Sequence, residues 1–330
     1  MIRKKSVQCT LITLFLAGSL TGCSLFGASD PLLEPYAVAY NTNISAMQDM
    51  AGDRTDLFAD DLVVVGDESG YQDETIKAEA AIIYNVTSNQ VVFSHNAFER
   101  LYPASITKLM TVLVALKYGN LSDSVTVGDD IVKKSELKGT SLAKLQSGCT
   151  YTLEQLIYGA LLPSGNDAAL AIAQHVGGGN VDEFINMMNA EAKELGATGT
   201  NFVNPHGLTD ENHYSTAYDI YLIYNELLQY ETFRNVVQTA SYDYTYTDAA
   251  GAQVSGNFKT TVKYTNQEVT PPENVVALGG KTGTTSAAMY CLAMSSQDTN
   301  GNQYVSVILK ADSREQLYYQ MNQLLQKIYN

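Results

Sequence analysis

The chain has 330 residues and carries 20 lysines and arginines against 35 aspartates and glutamates, which gives a formal charge of −15. A field this acidic disfavours binding of nucleic acid or of an anionic lipid surface, so any cationic site has to be local. Hydrophobic residues make up 45% of the sequence, enough for a folded core, and no internal repeat is visible.

The first 22 residues predict a secretory signal. Three cations at positions 3–5 precede an apolar run, Val7 to Leu20, that is too short to span a bilayer comfortably. The run ends in Leu20-Thr21-Gly22-Cys23, which resembles a bacterial lipobox. We therefore expect cleavage before Cys23, lipid attachment to its thiol and a membrane-anchored extracytoplasmic protein with a formal charge of −18. An ordinary signal peptide and an uncleaved anchor are the alternatives.

Residues 23–70 are acidic and contain few long periodic apolar segments, so they are expected to form a tether. Residues 71–330 are long enough for one large domain. This domain should begin with two short strands, Ala80 to Val86 and Val91 to Ser94.

The first chemically informative string is Ser105-Ile106-Thr107-Lys108. A long apolar run follows it and predicts a buried helix over 105–117. Lys108 would then lie on the same face as Ser105, close to its hydroxyl. Ser-x-x-Lys also occurs at Ser135 and Ser141, in a polar stretch without such a helix, where an ordinary surface role is expected. For Ser105 the alternative is a helix N-cap.

The second string, Ser164-Gly165-Asn166, falls between two predicted helices. A capping box at Thr152 opens the helix 152–161, and Asn166-Asp167 should cap the helix 168–176. A tight turn here could present side chains to a cleft, although Ser, Gly and Asn favour turns in any case. The Ser-x-Asn pattern at Ser255 lies in a hairpin-like region, where that simpler reading is preferred.

The third string, Lys281-Thr282-Gly283, occurs once, between Val275–Leu278 and an apolar stretch at 287–294. It predicts a strand at a cleft wall, with a glycine that permits close backbone approach. The three strings together supply a hydroxyl with an amine, a hydroxyl with an amide, and a cation. An acyl-transferring serine enzyme without a Ser-His-Asp triad needs this set.

The remaining periodic segments complete the predicted fold. They are helices at 181–195 and 216–229, strands at 241–247, 253–264, 287–295 and 303–310, and a final helix carrying Leu317, Met321, Leu324 and Ile328. Strands at both chain ends with helices between them predict an α+β fold. Its antiparallel sheet, of about five strands drawn from both ends, would be accompanied by a helical subdomain.

Two cysteines, Cys149 and Cys291, remain after the signal and the lipid site are set aside, and we expect buried free thiols, with a disulfide as the alternative. The four histidines, His95, His175, His206 and His213, show no zinc-ligand spacing. No metal or cofactor is therefore expected.

From about Ala78 onward the chain resembles a D-alanyl-D-alanine carboxypeptidase, a low-molecular-mass penicillin-binding protein of the peptidase S11 family and the serine β-lactamase-like superfamily. Besides the three strings, the resemblance is carried by Tyr102-Pro103-Ala104-Ser105, by Asn201 to Leu208 and by His213 to Asp219. It implies an αβα sandwich of the β-lactamase/transpeptidase type.

The resemblance also implies a role for each matched residue. Ser105 would be the acylated nucleophile, Lys108 its base, and Ser164 a proton relay to the leaving D-alanine. Asn166 would orient Lys108 and the substrate amide. The substrate would be held by the segment Lys281, Thr282, Gly283 and Thr284: Lys281 and Thr282 would bind its terminal carboxylate, and the backbone N–H groups of Ser105 and Thr284 would form the oxyanion hole.

The implied partners are a peptidoglycan stem pentapeptide as substrate, β-lactams as acylating inhibitors and the membrane through the N-terminal lipid, with no nucleic acid and a monomeric protein. Many relatives add a C-terminal β-rich domain and a membrane helix. This chain ends about 50 residues after Lys281, so we expect neither, with the lipid replacing that anchor. Thr284 stands where relatives often have an aromatic residue or histidine.

Two rival functions remain open. A class A β-lactamase shares the three strings but uses a loop glutamate to activate the deacylating water; here the corresponding region, Thr198 to Leu208, has no Glu. Slow deacylation of a bound penicillin is therefore expected. The other rival is a non-catalytic lipoprotein that binds peptidoglycan or senses β-lactams.

Overall fold

A computed structural model of the protein describes residues 73–329. The signal segment, the lipidation site at Cys23 and the acidic tether lie outside the described residues. Between residues 73 and 329, no helix is both long and apolar enough to cross a bilayer.

A five-stranded antiparallel sheet joins the two ends of the described chain, as the sequence predicts. Its strand order is β2-β1-β9-β8-β7. The strands are β1 (Ala80–Asn85), β2 (Gln90–His95), β7 (Val275–Thr285), β8 (Met289–Asp298) and β9 (Gln303–Ala311). This confirms the α+β fold with a sheet closed by both chain ends.

Both faces of this sheet are covered, which makes the fold an αβα sandwich. In β1 the residues Ala80, Ile82 and Tyr84 face the larger core cluster, whereas Ala81 and Ile83 face the smaller one. Because both faces of β1 are buried, its sequence is an unbroken apolar run rather than an alternating one. The C-terminal helix α8 (Arg314–Gln326) covers the side of the smaller cluster.

The helical layer packs on the other face. Its members are α1 (Lys108–Tyr118), α2 (Asp129–Val132), α3 (Leu153–Leu161), α4 (Asn166–Val176), α5 (Val181–Glu194), α6 (Ala217–Leu227) and α7 (Glu231–Gln238). Among these, α2 and α7 are absent from the sequence prediction. The capping box of α3 is confirmed, with the Thr152 side chain accepting from Gln155 N–H and the Gln155 side chain accepting in return.

A second sheet was not anticipated. It has the order β3-β4-β5-β6, formed by β3 (Ser124–Thr126), β4 (Thr150–Thr152), β5 (Ser241–Thr247) and β6 (Gln253–Lys259). Strands β3 and β4 have three residues each, too few to show a period. The half-buried tyrosines of β5 alternate with exposed residues, and Tyr242 stacks on Tyr158 of α3 at a centroid distance of 3.7 Å.

The predicted start of α4 is wrong in detail. The N-cap of α4 is Gly165, and Asn166 and Asp167 are already helical. The side chains of both residues bind other segments: the Asp167 carboxylate accepts from the N–H groups of Ala143 and Leu145. At the N-terminus of α5, the Asn180 side chain caps the helix by accepting from Asp182 N–H, and the helix begins at Val181, as the sequence predicts.

Both cysteines of the described chain are buried free thiols, as the sequence predicts. Cys291 lies within β8, and its burial raises the thiol pKa to about 12. Because the thiol rather than the thiolate prevails at neutral pH, Cys291 is an inert packing residue.

Candidate active site

The three strings meet in one cleft of about 250 Å³ between the helical layer and β7, the edge strand of the five-stranded sheet. Ser105, Ser164, Thr282 and Thr284 line it, and the ammonium groups of two buried lysines lie behind them. The arrangement therefore joins residues separated by up to about 180 positions in the chain.

Ser105 lies in a single 3₁₀ turn, Ala104–Thr107, rather than in the first turn of the α-helix, which begins at Lys108. Ala104 has a φ of +48°, a conformation that costs a non-glycine residue energy and that tertiary contacts must hold. Strand β7 passes this turn closely. A Cβ on Gly283 would lie 2.8 Å from the Pro103 carbonyl oxygen, so this approach requires glycine, as the sequence predicts.

Lys108 is fully buried and its amine is held from three sides. The Nζ atom donates to Ser105 Oγ at 2.9 Å, to Asn166 Oδ1 at 2.6 Å and to the His206 carbonyl oxygen at 2.8 Å. Burial, and next the charge of Lys281, lower the pKa of Lys108 well below its ordinary value of 10.5. A neutral amine in contact with a hydroxyl can accept that hydroxyl's proton.

Ser164 presents its hydroxyl from a strained turn. Its φ is +61°, and its Oγ accepts from Lys281 Nζ at 2.9 Å. Asn166, two residues later, lies in the first turn of α4 and contacts Lys108. The second string therefore connects the two lysines, one through a hydroxyl and the other through an amide.

Lys281 is also fully buried, and its Nζ donates to Ser164 Oγ and to the Thr282 carbonyl oxygen. No carboxylate compensates its charge within the part of the chain that the structure describes. Burial therefore lowers the pKa of Lys281 to about 7. An unpaired buried cation destabilises a fold.

Replacing Lys281 with methionine is expected to raise the free energy of unfolding by about 1–4 kcal/mol at pH 7. Between pH 7 and 10.5 the unfolded chain binds a proton at this lysine that the folded chain does not, so the wild type gains stability as the pH rises. The excess in the free energy of unfolding of Lys281→Met over the wild type should accordingly shrink toward pH 10. Thermal unfolding of both proteins from pH 6 to 10 measures this; an advantage that is constant with pH would contradict it.

The segment 201–213 lies behind Lys108: part of it carries the family resemblance, but its contact with Lys108 was not predicted from the sequence. It is fastened to α1 by Thr111, which donates to the Pro205 carbonyl oxygen at 2.5 Å, and to the preceding 3₁₀ turn by Thr107, whose Oγ1 lies 2.7 Å from His213 Nε2. A Cβ on Gly207 would lie 1.8 Å from the Ala104 carbonyl oxygen. The segment contributes the backbone carbonyl of His206 to the contacts of Lys108, and a pattern of side chains does not predict a backbone contact.

Other cleft residues also escaped prediction. Thr261 Oγ1 lies 2.7 Å from Thr282 Oγ1, and Lys263 and Arg314 also line the cleft. Arg314 is the first residue of α8, where nothing in the sequence distinguishes it from a surface cation. Ser141, set aside above, lines the cleft as well, and its carbonyl oxygen accepts from Asn166 N–H.

The set-aside Ser135 and Ser255 side chains are exposed, in a 3₁₀ turn and in β6 respectively. Within residues 73–329 no Asp or Glu side chain hydrogen bonds to Ser105, Lys108, Ser164 or Lys281. The described residues also contain no group of three or more His, Cys, Asp or Glu side chains arranged to hold a metal ion.

A family model described as peptidase S11, D-alanyl-D-alanine carboxypeptidase, matches residues 67–313. The chain is 34% identical over 255 residues to D-alanyl-D-alanine carboxypeptidase DacF of Bacillus subtilis, which covers 76% of this chain and 61% of that relative. It is 30% identical over 246 residues to the D-alanyl-D-alanine carboxypeptidase of Streptomyces sp. strain K15, covering 72% of this chain and 82% of that one.

The fold is also similar to a crystal structure of the Streptomyces K15 DD-transpeptidase. The TM-score is 0.72 at 28% identity, over 78% of this chain and 98% of that one. The chain spans about three-fifths of the length of the Bacillus relative.

Proposed function

The chain belongs to the peptidase S11 family of D-alanyl-D-alanine carboxypeptidases, and we propose that it removes the terminal D-alanine from peptidoglycan stem pentapeptides through an acyl-enzyme on Ser105. One observation carries the proposal. The buried amine of Lys108, with its pKa well below the ordinary value, lies 2.9 Å from the Ser105 hydroxyl.

Acylation starts with the transfer of the Ser105 proton to neutral Lys108. The Oγ atom then attacks the carbonyl carbon of the penultimate D-alanine. The oxyanion forms between the backbone N–H groups of Ser105 and Thr284. The first of these lies in the turn that leads into α1, where N–H groups lack partners within the helix and carry the positive end of its dipole.

Collapse of the tetrahedral intermediate breaks the peptide bond and needs a proton on the leaving amine. Ser164 would give its hydroxyl proton to the leaving amine and take one in turn from the charged form of Lys281, whose Nζ is in contact with its Oγ. Asn166 holds Lys108 in register and offers its amide to the substrate. Water then attacks the ester carbonyl, Lys108 returns its proton to Ser105 Oγ as the shortened peptide leaves, and the proton lost by the water restores Lys281 through the solvent.

The terminal carboxylate of the substrate would bind at the Thr282 end of the cleft. Lys281, with a pKa of about 7, is only partly charged at neutral pH in the free protein. A bound carboxylate would favour its charged form. Arg314 also lines the cleft and adds a guanidinium cation.

A β-lactam would acylate Ser105 by the same steps, but its ester would persist. Fast hydrolysis needs a base for the water, and no carboxylate of the described chain hydrogen bonds to the catalytic groups. This observation favours the carboxypeptidase over the class A β-lactamase.

Purified protein should release D-alanine from a diacyl-Lys-D-Ala-D-Ala peptide, and labelled penicillin should remain bound through many peptide turnovers. Mass spectrometry of the peptide products and of the acylated protein measures both. Rapid turnover of nitrocefin would show a β-lactamase instead. Labelling without D-alanine release would show a non-catalytic sensor. Adding an amine acceptor to the same assay separates hydrolysis from transpeptidation.

We also propose that this activity is extracytoplasmic, with residues 71–330 as the catalytic domain tethered through residues 23–70 to a lipid on Cys23. The signal pattern and lipobox in the sequence support the location. Metabolic labelling with a radioactive fatty acid, followed by membrane fractionation, tests it; unlabelled protein in the soluble fraction would contradict it.

A further inference from the structure

The segment that follows β6 forms part of the wall of the catalytic cleft. Thr260, Thr261 and Lys263 line the cleft, although none of them belongs to the three strings. Thr261 approaches β7, the edge strand of the five-stranded sheet, at Thr282. Thr261 is exposed, so a substrate in the cleft can reach this contact. Its hydroxyl group takes part in none of the acyl-transfer steps above.

The backbone of this segment is held at Thr261 and just after it. Thr261 N–H donates to the Leu162 carbonyl oxygen at 3.1 Å. Val262 is buried, and Lys263 N–H donates to the Tyr318 hydroxyl at 2.9 Å. The fold therefore sets the position of the Thr261 side chain before any substrate binds.

Thr261 lies between the second and the third string. Its N–H contact is to Leu162, two residues before Ser164, and its Oγ1 atom lies 2.7 Å from Oγ1 of Thr282, one residue after Lys281. A separation of this size is that of a good hydrogen bond between two hydroxyl groups. Thr261 therefore contacts both the segment that carries Ser164 and the residue proposed to hold the substrate carboxylate.

The orientation of the Thr282 hydroxyl depends on Thr261. Within residues 73–329, Thr282 Oγ1 forms no other hydrogen bond, because the Lys281 ammonium contacts the Thr282 carbonyl oxygen rather than the hydroxyl. A threonine hydroxyl has one proton and two lone pairs, and its proton turns to suit whichever partner is present. Without Thr261, the described residues would leave this proton undirected.

A substrate carboxylate would set the direction of the hydrogen bond between the two threonines. A carboxylate only accepts hydrogen bonds, so Thr282 has to donate its proton to it. The Thr282 oxygen can then accept from Thr261. Hydrogen bonds that form such a chain polarise one another, which makes the Thr282 hydroxyl a stronger donor to the carboxylate.

We propose that Thr261 is a positioning residue for the terminal carboxylate of the substrate: its hydroxyl donates to Thr282 Oγ1 and directs the Thr282 proton to that carboxylate. This inference rests on the proposed function and adds a residue to its carboxylate subsite. Neither hydroxyl carries a charge, so the pair acts through the direction of a donor, whereas Lys281 and Arg314 act through their charge.

Two ester substrates with the same acyl group test the proposal: diacyl-Lys-D-Ala-D-lactate and the ethyl ester of diacyl-Lys-D-Ala. The ethyl ester lacks only the terminal carboxylate. Thr261→Val keeps the shape of the side chain and removes its hydroxyl group. It should lower kcat/KM for the lactate substrate about three- to tenfold, the range of one hydrogen bond, and keep that for the ethyl ester within about twofold. Mass spectrometry of the released diacyl-Lys-D-Ala measures both.

The ratio of the two kcat/KM values is insensitive to loss of folded protein. Thr261→Ser keeps the hydroxyl and should restore the wild-type ratio. Thr260→Val is the matched control, because it removes a hydroxyl of the same segment that accepts from Val262 N–H instead, and it should keep the ratio. In a Thr282→Val background, Thr261→Val should have no further effect on the ratio, since a positioning residue acts only through the residue that it positions.

An unchanged ratio in Thr261→Val, whether or not both kcat/KM values fall, would overturn the inference, because the hydroxyl would then at most support the cleft wall. Additive effects of Thr261→Val and Thr282→Val on the ratio would overturn it too, since Thr261 would then bind the carboxylate by itself. Failure of the wild type to release D-alanine from diacyl-Lys-D-Ala-D-Ala would instead contradict the proposed function, and the inference with it.

Discussion

Alanine at position 105 is expected to abolish both D-alanine release and covalent penicillin labelling, with kcat lowered by a factor of at least about 10⁴. Ser164 also contacts a buried lysine of lowered pKa, Lys281, but the substrate carboxylate proposed to bind there would favour the charged form of Lys281, which cannot accept a proton. Ser105 Oγ is in contact with the depressed-pKa amine of Lys108, whereas Ser164 Oγ is in contact with Lys281. Gel fluorescence with a labelled penicillin and a D-alanine assay measure the two effects.

The chain contains its own control for this substitution. Ser135 begins the same Ser-x-x-Lys pattern, yet its side chain is exposed in a 3₁₀ turn. Ser135→Ala should therefore label and turn over like the wild type. Both variants should keep the wild-type unfolding midpoint within a few degrees, because neither substitution opens a core cavity. Residual labelling of Ser105→Ala on another residue would contradict the assignment of the nucleophile.

Placement of the first and third strings could be predicted because local pattern and fold agree there. The apolar run after Lys108 specifies a buried helix, and a serine three residues before that lysine then has to lie beside it. Gly283 likewise marked a close backbone approach, which the Pro103 carbonyl explains.

The sequence says less where long-range contacts decide. Asn166 and Asp167 read as caps because caps are their commonest local use, but their side chains bind Lys108 and the 143–145 backbone instead. The second sheet depends on pairing Thr150 with Thr247, almost a hundred residues apart, through a three-residue strand. Local propensity carries no information about such a pairing.

Contacts made by backbone groups are also hard to predict from the sequence. The third contact of Lys108 is the His206 carbonyl, and its position depends on Gly207, which has a φ of +88° and approaches Ala104 closely. A carbonyl has no residue identity, so only the flanking pattern could have pointed to it. Arg314 was missed for a different reason, since a cation becomes distinctive only when the cleft beside it is known.

Arginine at position 108 is expected to lower the rate of penicillin acylation at least about 10³-fold although it keeps a positive charge. A guanidinium stays protonated at any working pH and cannot take the Ser105 proton. Lys108→Met, whose side chain fills similar space without an amine, should lower the acylation rate by a similar factor. Stopped-flow acylation of Lys108→Arg, Lys108→Met and the wild type compares them.

The pH dependence of the wild type gives an independent check on the same assignment. Because burial and the charge of Lys281 hold the pKa of Lys108 well below 10.5, the neutral amine is available near neutrality. Acylation should therefore rise from acid pH and level off well below pH 10, with apparent pKa values that belong to the lysine pair. A rate that keeps rising tenfold per unit through pH 9 would indicate a lysine of ordinary pKa. If Lys108→Arg were acylated by penicillin at a rate within tenfold of the wild type, Lys108 would act only as a fixed charge.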